Sequence, residues 1–465
     1  MLNRLRFFLA INVSKFVKQI LRLTGRKGTT LPGAIALRIC PDILSHFGSK
    51  LNGNVVLITG TNGKTTTSNL LTHFLRKDGR AIISNSLGAN LIQGIVTTFL
   101  DGYKGKAADG QAVVLEVDEA TIGKVIQPLH PNAVVVTNFF RDQMDRYGEV
   151  DTVVELVGNA LKKAPDHTML ILNADDPLVS SIAPEGKRVI WYGINSSDFS
   201  AEDHNEVKDG KFCRTCSSPL HYTQYHYGQL GFYRCLTCGF QRANPDYAAE
   251  RVRLHEEGIL FELKGDVGRI NSPALYNVYN ALAAITAANL MGVKREVLRE
   301  EMSSMATGLG RMERMNIAGK HVMLTLVKNP TGFNQVLSVV QQETRPAHLV
   351  VVLNDHYADG TDVSWIWDTN IEKLRKMSRL QRIWATGTRA FDMGVRLKYA
   401  GFGDITEVME GDIRTVDHAL AELPEGHLLY ILSTYTSLYA IRDHLLAKGR
   451  IEVEAKNRAS VPGSA

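Results

Sequence analysis

"NVVLITGTNGKTTTSNLLTHFLRKDG", residues 54–79, joins a β-branched apolar run to a helix-patterned segment through a glycine-containing turn. The stretch opens as a β-branched strand, and Leu70, Leu71 and Phe74 fall on one side of the helix that follows. Between them "GTNGKTTT" sets Gly60 and Gly63 ahead of Lys64 and Thr65, one residue shorter than the usual G-x-x-x-x-G-K-[ST] loop. Glycine lets the backbone approach an anion, and the N–H groups at a helix start face phosphate oxygens. A lysine here reaches the β- and γ-phosphates, and the Thr65 hydroxyl joins a Mg²⁺ shell. Gly60, Thr61, Asn62, Gly63, Lys64, Thr65 and Thr66 are therefore the candidate nucleotide-binding residues, against the alternative of a purely structural turn.

Outward from this loop, "AVVLEVDEATI" (112–122), "NAVVVTNFF" (132–140) and "TMLILNADDP" (168–177) are uninterrupted apolar strands ending in polar residues. Such strands, alternating with helical segments, predict an α/β domain with a parallel sheet covered on both faces. An ATPase of this kind needs a carboxylate at a neighbouring strand tip to hold Mg²⁺. Glu116 occupies that place, with Asp118 and Glu119 beside it; a solvated strand end is the competing reading. A helix over 277–292 follows a polar, β-rich insert at roughly 197–247.

Within that insert, "CRTC" (213–216) and "CLTC" (235–238) are separated by eighteen residues. Two tight turns presenting Cys213, Cys216, Cys235 and Cys238 to one tetrahedral ion make a Cys₄ zinc ribbon, a structural site with no open position. Disulfides are the competing reading, disfavoured in a cytosolic ATPase. Three arginines among residues 213–247 are a poor phosphate footprint, so nucleic-acid binding is not expected. His221 and His226 read as surface residues, and Cys40 as a buried small apolar one.

From about 316 the pattern restarts with "HVMLTLV", "HLVVVLND", "RIWATGT" and "HLLYILST", predicting a second, open, Rossmann-like α/β domain. The expected organisation is a basic helical segment (1–48), an ATPase domain (49–315) carrying the ribbon (205–247), a C-terminal domain (316–455) and a disordered tail (456–465).

Composition bounds the rest. The 465 residues are 44% hydrophobic and 22% charged, ordinary for globular domains. Residues 1–41 hold eight Lys/Arg and no acid, so the remainder is near neutral, which argues against a broad nucleic-acid surface. In the first segment Leu5, Phe8, Leu9, Val13, Phe16, Val17 and Ile20 recur at helical spacing, with Lys15, Lys18, Arg22 and Arg26 on another face. One reading packs this apolar face on the body and leaves a solvated basic face. The other lays the helix on an anionic membrane surface. Its longest uncharged run, Phe7–Ser14, is too short to span a bilayer, so a cytoplasmic protein is expected, peripheral to the inner membrane face on the second reading.

"GTNGKTTT", "LEVDE", "TNFFRDQMDRYG", "NADDP", "YNVYNALAA" and "GRMER" together resemble, in order and spacing, the Mur ligase family of ATP-dependent peptidoglycan ligases. The resemblance implies a P-loop ATPase in which Lys64 and Thr65 bind phosphate and Mg²⁺ and Glu116 holds Mg²⁺. It places Asn138 beside the site, Asn280 and Asp175 near the base and ribose, and Arg311 on the phosphates. It further implies activation of a carboxylate as an acyl phosphate that an amine attacks, chemistry dominated by charge neutralisation. The family's DHLD reads DQMD here, with Gln143 replacing a His associated with a second metal. The family's carbamylated lysine has no clear match, Lys162 and Lys163 being the nearby candidates. The short segment before the ATPase predicts a chain without the family's UDP-recognition unit.

With the Cys₄ insert and "ADGTDVSWIWD", the chain is similar end to end to the amidating branch of that family. That likeness implies a ligase subunit converting the D-glutamate α-carboxylate of lipid II to D-isoglutamine, at the inner membrane surface. Ammonia would come from a GatD-like glutamine amidotransferase subunit. In "NDHYADGTDVSWIWD" (354–368), Asp362 reads locally as a helix N-cap. By resemblance it instead completes the partner's Cys-His-Asp triad, a catalytic role alongside Lys64 and Glu116. The acid spacing excludes an EF-hand. A self-sufficient amino-acid ligase and a non-enzymatic ATP-switched assembly module are the alternatives.

Overall fold

The computed structural model describes residues 2–24, 28–51, 54–85, 89–102, 111–142, 149–201, 208–255, 258–306 and 312–459. These form two compact units, the first covering most of residues 2–306 and the second residues 312–459 together with 141–142.

The first unit opens with helices α1 (Leu2–Leu23), α2 (Leu31–Ile39) and α3 (Ile43–Gly48). Then come β1 (Val55–Thr59), α4 (Lys64–Lys77), β2 (Ile82–Ser84), α5 (Ile92–Gly102), β3 (Ala112–Glu116), α6 (Ile122–Leu129) and β4 (Ala133–Val136). Next are α7 (Val150–Lys162), β5 (Met169–Asn173), the short α8 (Pro177–Ser180) and β6 (Arg188–Ile194). The hairpin β7 (Leu220–Tyr227) and β8 (Leu230–Cys235) precedes β9 (Tyr247–His255), β10 (Gly258–Leu263) and β11 (Asp266–Ile270). Helices α9 (Tyr276–Leu290) and α10 (Arg295–Met302) close the unit.

The sheet order is β11-β10-β9-β6-β5-β4-β1-β3-β2, parallel from β2 to β9 and antiparallel through the β9–β11 meander. Strand β1 pairs with β3 on one side and β4 on the other, where the direction of crossover reverses. Both faces are covered. Val56 and Ile58 pack with α4 and α9, whereas Val55 and Leu57 pack with α3, α5 and α6, the alternation a pleated strand requires. Each such side chain, fully buried, contributes about 1.5–3 kcal/mol. All-apolar strands therefore encode a two-faced parallel sheet, as expected. The meander was not read from the sequence, because its strands interleave charged residues such as Arg251, Arg253, Glu262 and Arg269 with the apolar ones.

The second unit comprises β12 (Glu313–Ile317), β13 (Lys320–Leu326), α11 (Pro330–Gln342), β14 (Ala347–Val352), β15 (Leu380–Thr386) and α12 (Ala390–Tyr399). It ends with β16 (Thr406–Val408), α13 (Asp412–Glu422), β17 (Leu428–Ser433) and α14 (Tyr435–Ala459). Its sheet runs β12-β13-β17-β14-β15-β16, with only β12 antiparallel. Because β12 pairs with β13, this sheet starts at Glu313, slightly before the boundary read from sequence. The segment expected to be a disordered tail is helical as far as Ala459, and 460–465 lie outside the described residues.

Two sequence expectations are corrected. His226 is buried rather than superficial: Ser200 Oγ lies 2.7 Å from its Nδ1 and the Ile194 carbonyl oxygen 3.2 Å from its Nε2. Burial holds its pKa down despite the nearby Asp175. Helix α1 packs on the body with Phe7, Ala10 and Ser14, leaving Leu5, Phe8, Leu9, Phe16 and Ile20 exposed. The face that sequence periodicity marks as apolar is thus not the buried one.

Candidate functional site

The phosphate loop leaves β1 at the centre of the sheet, the crevice where open α/β sheets bind ligands. Gly60 has φ 116°, and a Cβ there would lie 2.3 Å from Thr137 Oγ1. Gly63 has φ 90°, and its Cβ would lie 2.1 Å from Asn280 Oδ1. Both positions therefore demand glycine, and the second brings α9 against the loop. The next strand braces the loop: Thr61 N donates to the Asn138 carbonyl oxygen (2.8 Å), and Asn62 N to Asn138 Oδ1 (3.0 Å). Asn138 Nδ2 donates back to the Asn62 carbonyl oxygen at 3.2 Å. Asn138 thus holds the loop's shape. Helix α4 begins at Lys64, so its first-turn N–H groups open onto this crevice, with Thr66 buried behind them.

The Thr65 hydroxyl donates to Glu116 Oε2 at 2.8 Å, and Asn90 Nδ2 donates to Glu116 Oε1 at 3.2 Å. Asn85 fixes the strand tip through paired bonds with the Glu116 backbone, at 2.7 and 2.8 Å. A hydroxyl and a carboxylate converging beside a phosphate loop are the oxygen donors that Mg²⁺ takes. Lys64 Nζ donates to the Gly60 carbonyl oxygen at 2.6 Å and pairs with Glu119 Oε1 at 2.9 Å. Burial pushes the Glu119 carboxyl above its ordinary pKa range, against the pull of Lys64. The sequence places Glu119 near the site but gives no sign that it is the lysine's partner. Asn90 carried no sequence signal, since it comes from a different loop.

Asn280, near the loop through Gly63, is buried and donates to Asn277 Oδ1 at 3.3 Å. Asp175 is fully buried and accepts from Arg242 Nε (2.6 Å), Tyr279 OH (2.7 Å) and Ile194 N (2.8 Å). Its neighbour Asp176 accepts from Phe139 N and Leu178 N, and burial pushes its pKa up to about 7. Arg311 and Gln143 lie outside the described residues. Lys162 and Lys163 are exposed at the end of α7, which leads into β5. That is the amino-terminal end of the parallel strands, opposite the carboxyl end that carries the phosphate loop.

The four insert cysteines place one Sγ each within 4.8 Å of the others. The Cys213–Cys238 and Cys216–Cys235 sulfurs are 3.5 and 3.4 Å apart. A disulfide requires about 2.05 Å. Tetrahedral thiolates at Zn–S distances of about 2.3 Å lie about 3.8 Å apart, close to the observed spacing. The hairpin carrying them reaches the β5 tip: Tyr233 OH donates to the Ala174 carbonyl oxygen (3.1 Å), and Gly231 N to that of Asp175 (2.9 Å). Arg242, just beyond the second cysteine pair, supplies the bond to the Asp175 carboxylate. Nothing in the sequence linked the ribbon to that aspartate.

In the second unit, the loop after β14 is fixed by Asn354, whose Nδ2 donates to Ser437 Oγ at 2.8 Å. Asp359 is buried and accepts from Thr436 N and Oγ1 (2.8 and 2.7 Å), capping α14. Asp355 accepts from the Thr388 hydroxyl at 2.8 Å. These two acids shape the loop. Asp362 is exposed, and its Oδ1 accepts from Ser364 N at 2.8 Å; the short helix Ser364–Asp368 takes Val363 as its N-cap residue, so the N-cap expected at Asp362 falls one residue later. That bond orients the carboxylate while leaving the residue at the surface. Ile366 anchors the following turn in the core, and Trp365 packs edge-on against Phe333.

Comparison with known proteins places these features in a lineage. The model of the Mur ligase middle domain matches residues 58–288, and that of the MurT ligase C-terminal region matches residues 326–438. Over 454 residues the chain is 35% identical to lipid II isoglutaminyl synthase (glutamine-hydrolyzing) subunit MurT of Staphylococcus aureus, covering 95% of this chain and 98% of that protein. The same-named subunit of Streptococcus pneumoniae is 34% identical over 433 residues, covering 92% and 94% respectively. Among solved structures, a pseudomurein peptide ligase type C from Methanothermus fervidus shares the fold with TM-score 0.65 at 21% identity, over 88% of this chain and 81% of that one.

Proposed function

The chain belongs to the MurT family of Mur-type ATP-dependent ligases, and from that premise we propose that it is the ligase subunit of a lipid II isoglutaminyl synthase. The observation that carries the reading is the convergence of Thr65 and Glu116 beside the Lys64 loop, on a chain matching isoglutaminyl synthase subunits almost end to end.

In this reading ATP lies along the 60–66 loop, with the loop N–H groups and Lys64 on its phosphates. Thr65 and Glu116 hold Mg²⁺, which supplies charge neutralisation on the transferring phosphoryl group. The D-glutamate α-carboxylate attacks the γ-phosphorus, giving an acyl phosphate and ADP. Ammonia then adds to the acyl carbon, phosphate leaves with the C–O bond, and one proton is released as the amide forms. Each of these steps redistributes negative charge, so the fixed donors Lys64 and the helix α4 start favour them without an acid–base pair.

Cys213, Cys216, Cys235 and Cys238 hold a structural Zn²⁺ in this proposal; their sulfur spacing supports it. The fifth cysteine, Cys40, is fully buried and donates to Asp42, and burial pushes its thiol up to about 12. Such a thiol is a poor nucleophile. With glutamine as the nitrogen donor, ammonia is therefore supplied by a second, GatD-like subunit, with Asp362 facing that subunit's histidine.

The test is phosphate release and amide formation with purified chain, ATP, lipid II and ammonium. Both products should require all three substrates, and mass spectrometry of the released stem peptide should show D-isoglutamine. ATP turnover without amide, or amino-acid addition in its place, would overturn the reading.

A further inference from the structure

Helix α1 is about 33 Å long and presents two apolar faces. Phe7, Ala10 and Ser14 pack inward: the Phe7 ring meets Phe47 at 5.4 Å, and Lys18 pairs with Asp101 of α5. These contacts fix the helix in rotation. The opposite face carries Leu5, Phe8, Leu9, Phe16, Ile20 and Leu23, with Phe8 67% and Phe16 64% exposed. Exposed apolar residues usually stand singly; a stripe along a whole helix marks a surface that is covered.

The charges around that stripe select what covers it. At about 100° per residue, Arg4, Lys15 and Arg22 fall within roughly 20° of one another on one flank, with Arg6 on the other. All four are exposed, and residues 1–41 contain no acid. Two copies meeting through this face would bring like charges together. An anionic bilayer takes the apolar stripe between its headgroups and pairs its phosphates with both basic flanks. Within the described residues no helix is long and apolar enough to cross a membrane, so the contact is in the interfacial plane.

We propose that α1 is a membrane-surface anchor, inserting its Leu5–Leu23 apolar stripe into anionic lipid. The inference stands on this helix and is independent of the amidation reading, so either can fail alone. Its consequence for a lipid-linked substrate is that the helix confines the chain to the plane in which such a substrate moves.

The experiment is flotation of the full chain with phosphatidylglycerol-rich vesicles and with pure phosphatidylcholine vesicles, at low and high salt. Wild type should float with the anionic vesicles, more weakly at high salt. F8E/F16E should reduce partitioning by at least about tenfold, and R4Q/K15Q/R22Q by a similar factor on anionic vesicles only. ADP affinity, measured alongside, should be unchanged in both variants and reports that each is folded. Equal partitioning of wild type and F8E/F16E would overturn the proposal. So would failure of wild type to float, or light scattering that shows a wild-type dimer lost in F8E/F16E.

Discussion

Lys64 Nζ and Glu119 Oε1 stand 2.9 Å apart as an ion pair in which each side chain is only about a tenth exposed. The lysine assigned to ATP phosphates is thus held by a carboxylate from the neighbouring strand's tip. Glu119→Gln removes that competitor for the Lys64 charge. ATP and ADP should then bind about three- to tenfold more tightly, or about 0.7–1.4 kcal/mol. Calorimetric titration checks this, and weaker binding would show that Glu119 supports the nucleotide instead.

Glu116 accepts from both Thr65 and Asn90, so its charge is positioned before any cation arrives. Glu116→Gln keeps the size and loses the charge. Turnover should fall about 10²-fold, with the Mg²⁺ concentration for half-maximal rate shifted upward. A Mg²⁺ titration matching wild type would remove Glu116 from the metal site.

Asp362 provides a separation of activities. Asp362→Asn keeps an oxygen acceptor for Ser364 N, so the loop should persist. With a glutaminase subunit present, glutamine-supported amidation should drop by about 10²-fold or more while ammonium-supported amidation stays at the wild-type rate. Equal loss in both assays would mean the residue acts on the loop alone.

Cys216→Ser or Cys238→Ser should lower bound zinc from about one per chain to near zero. Because Tyr233 and Arg242 tie the hairpin to Ala174 and Asp175, the damage should extend beyond the ribbon. Elemental analysis together with a lowered melting temperature checks both parts. Full zinc content in the variants would exclude a four-thiolate site.

His348 lies 2.9 Å from His427 and stacks on Trp384, and burial, reinforced by His427, holds its pKa down to about 4. The unfolded ring titrates near 6.5. As pH falls from about 6.5 to about 4, the unfolded chain gains a proton that the folded one refuses, so stability is lost across that window. Melting temperatures at pH 7, 5 and 4 should fall less steeply in His348→Gln than in wild type. An unchanged slope would assign the acid sensitivity elsewhere.

Local chemistry made the central layer legible. β-branched runs, the Gly60–Thr65 loop and the paired cysteines each carry their physics in adjacent residues, so strand, phosphate loop and thiol cluster follow from sequence. Glu116 was legible as a candidate from its place at the end of an apolar strand, with a solvated strand end as the competing reading. Tertiary structure decided the relationships that join distant residues. Glu119 pairs with Lys64, Arg242 crosses from the ribbon to the buried Asp175, and His226 is drawn inside; none of these depends on spacing along the chain. Helix α1 makes the same distinction most sharply. Its periodicity marks an apolar face, but only its packing through Phe7, Ala10 and Ser14 determines that this face is turned outward.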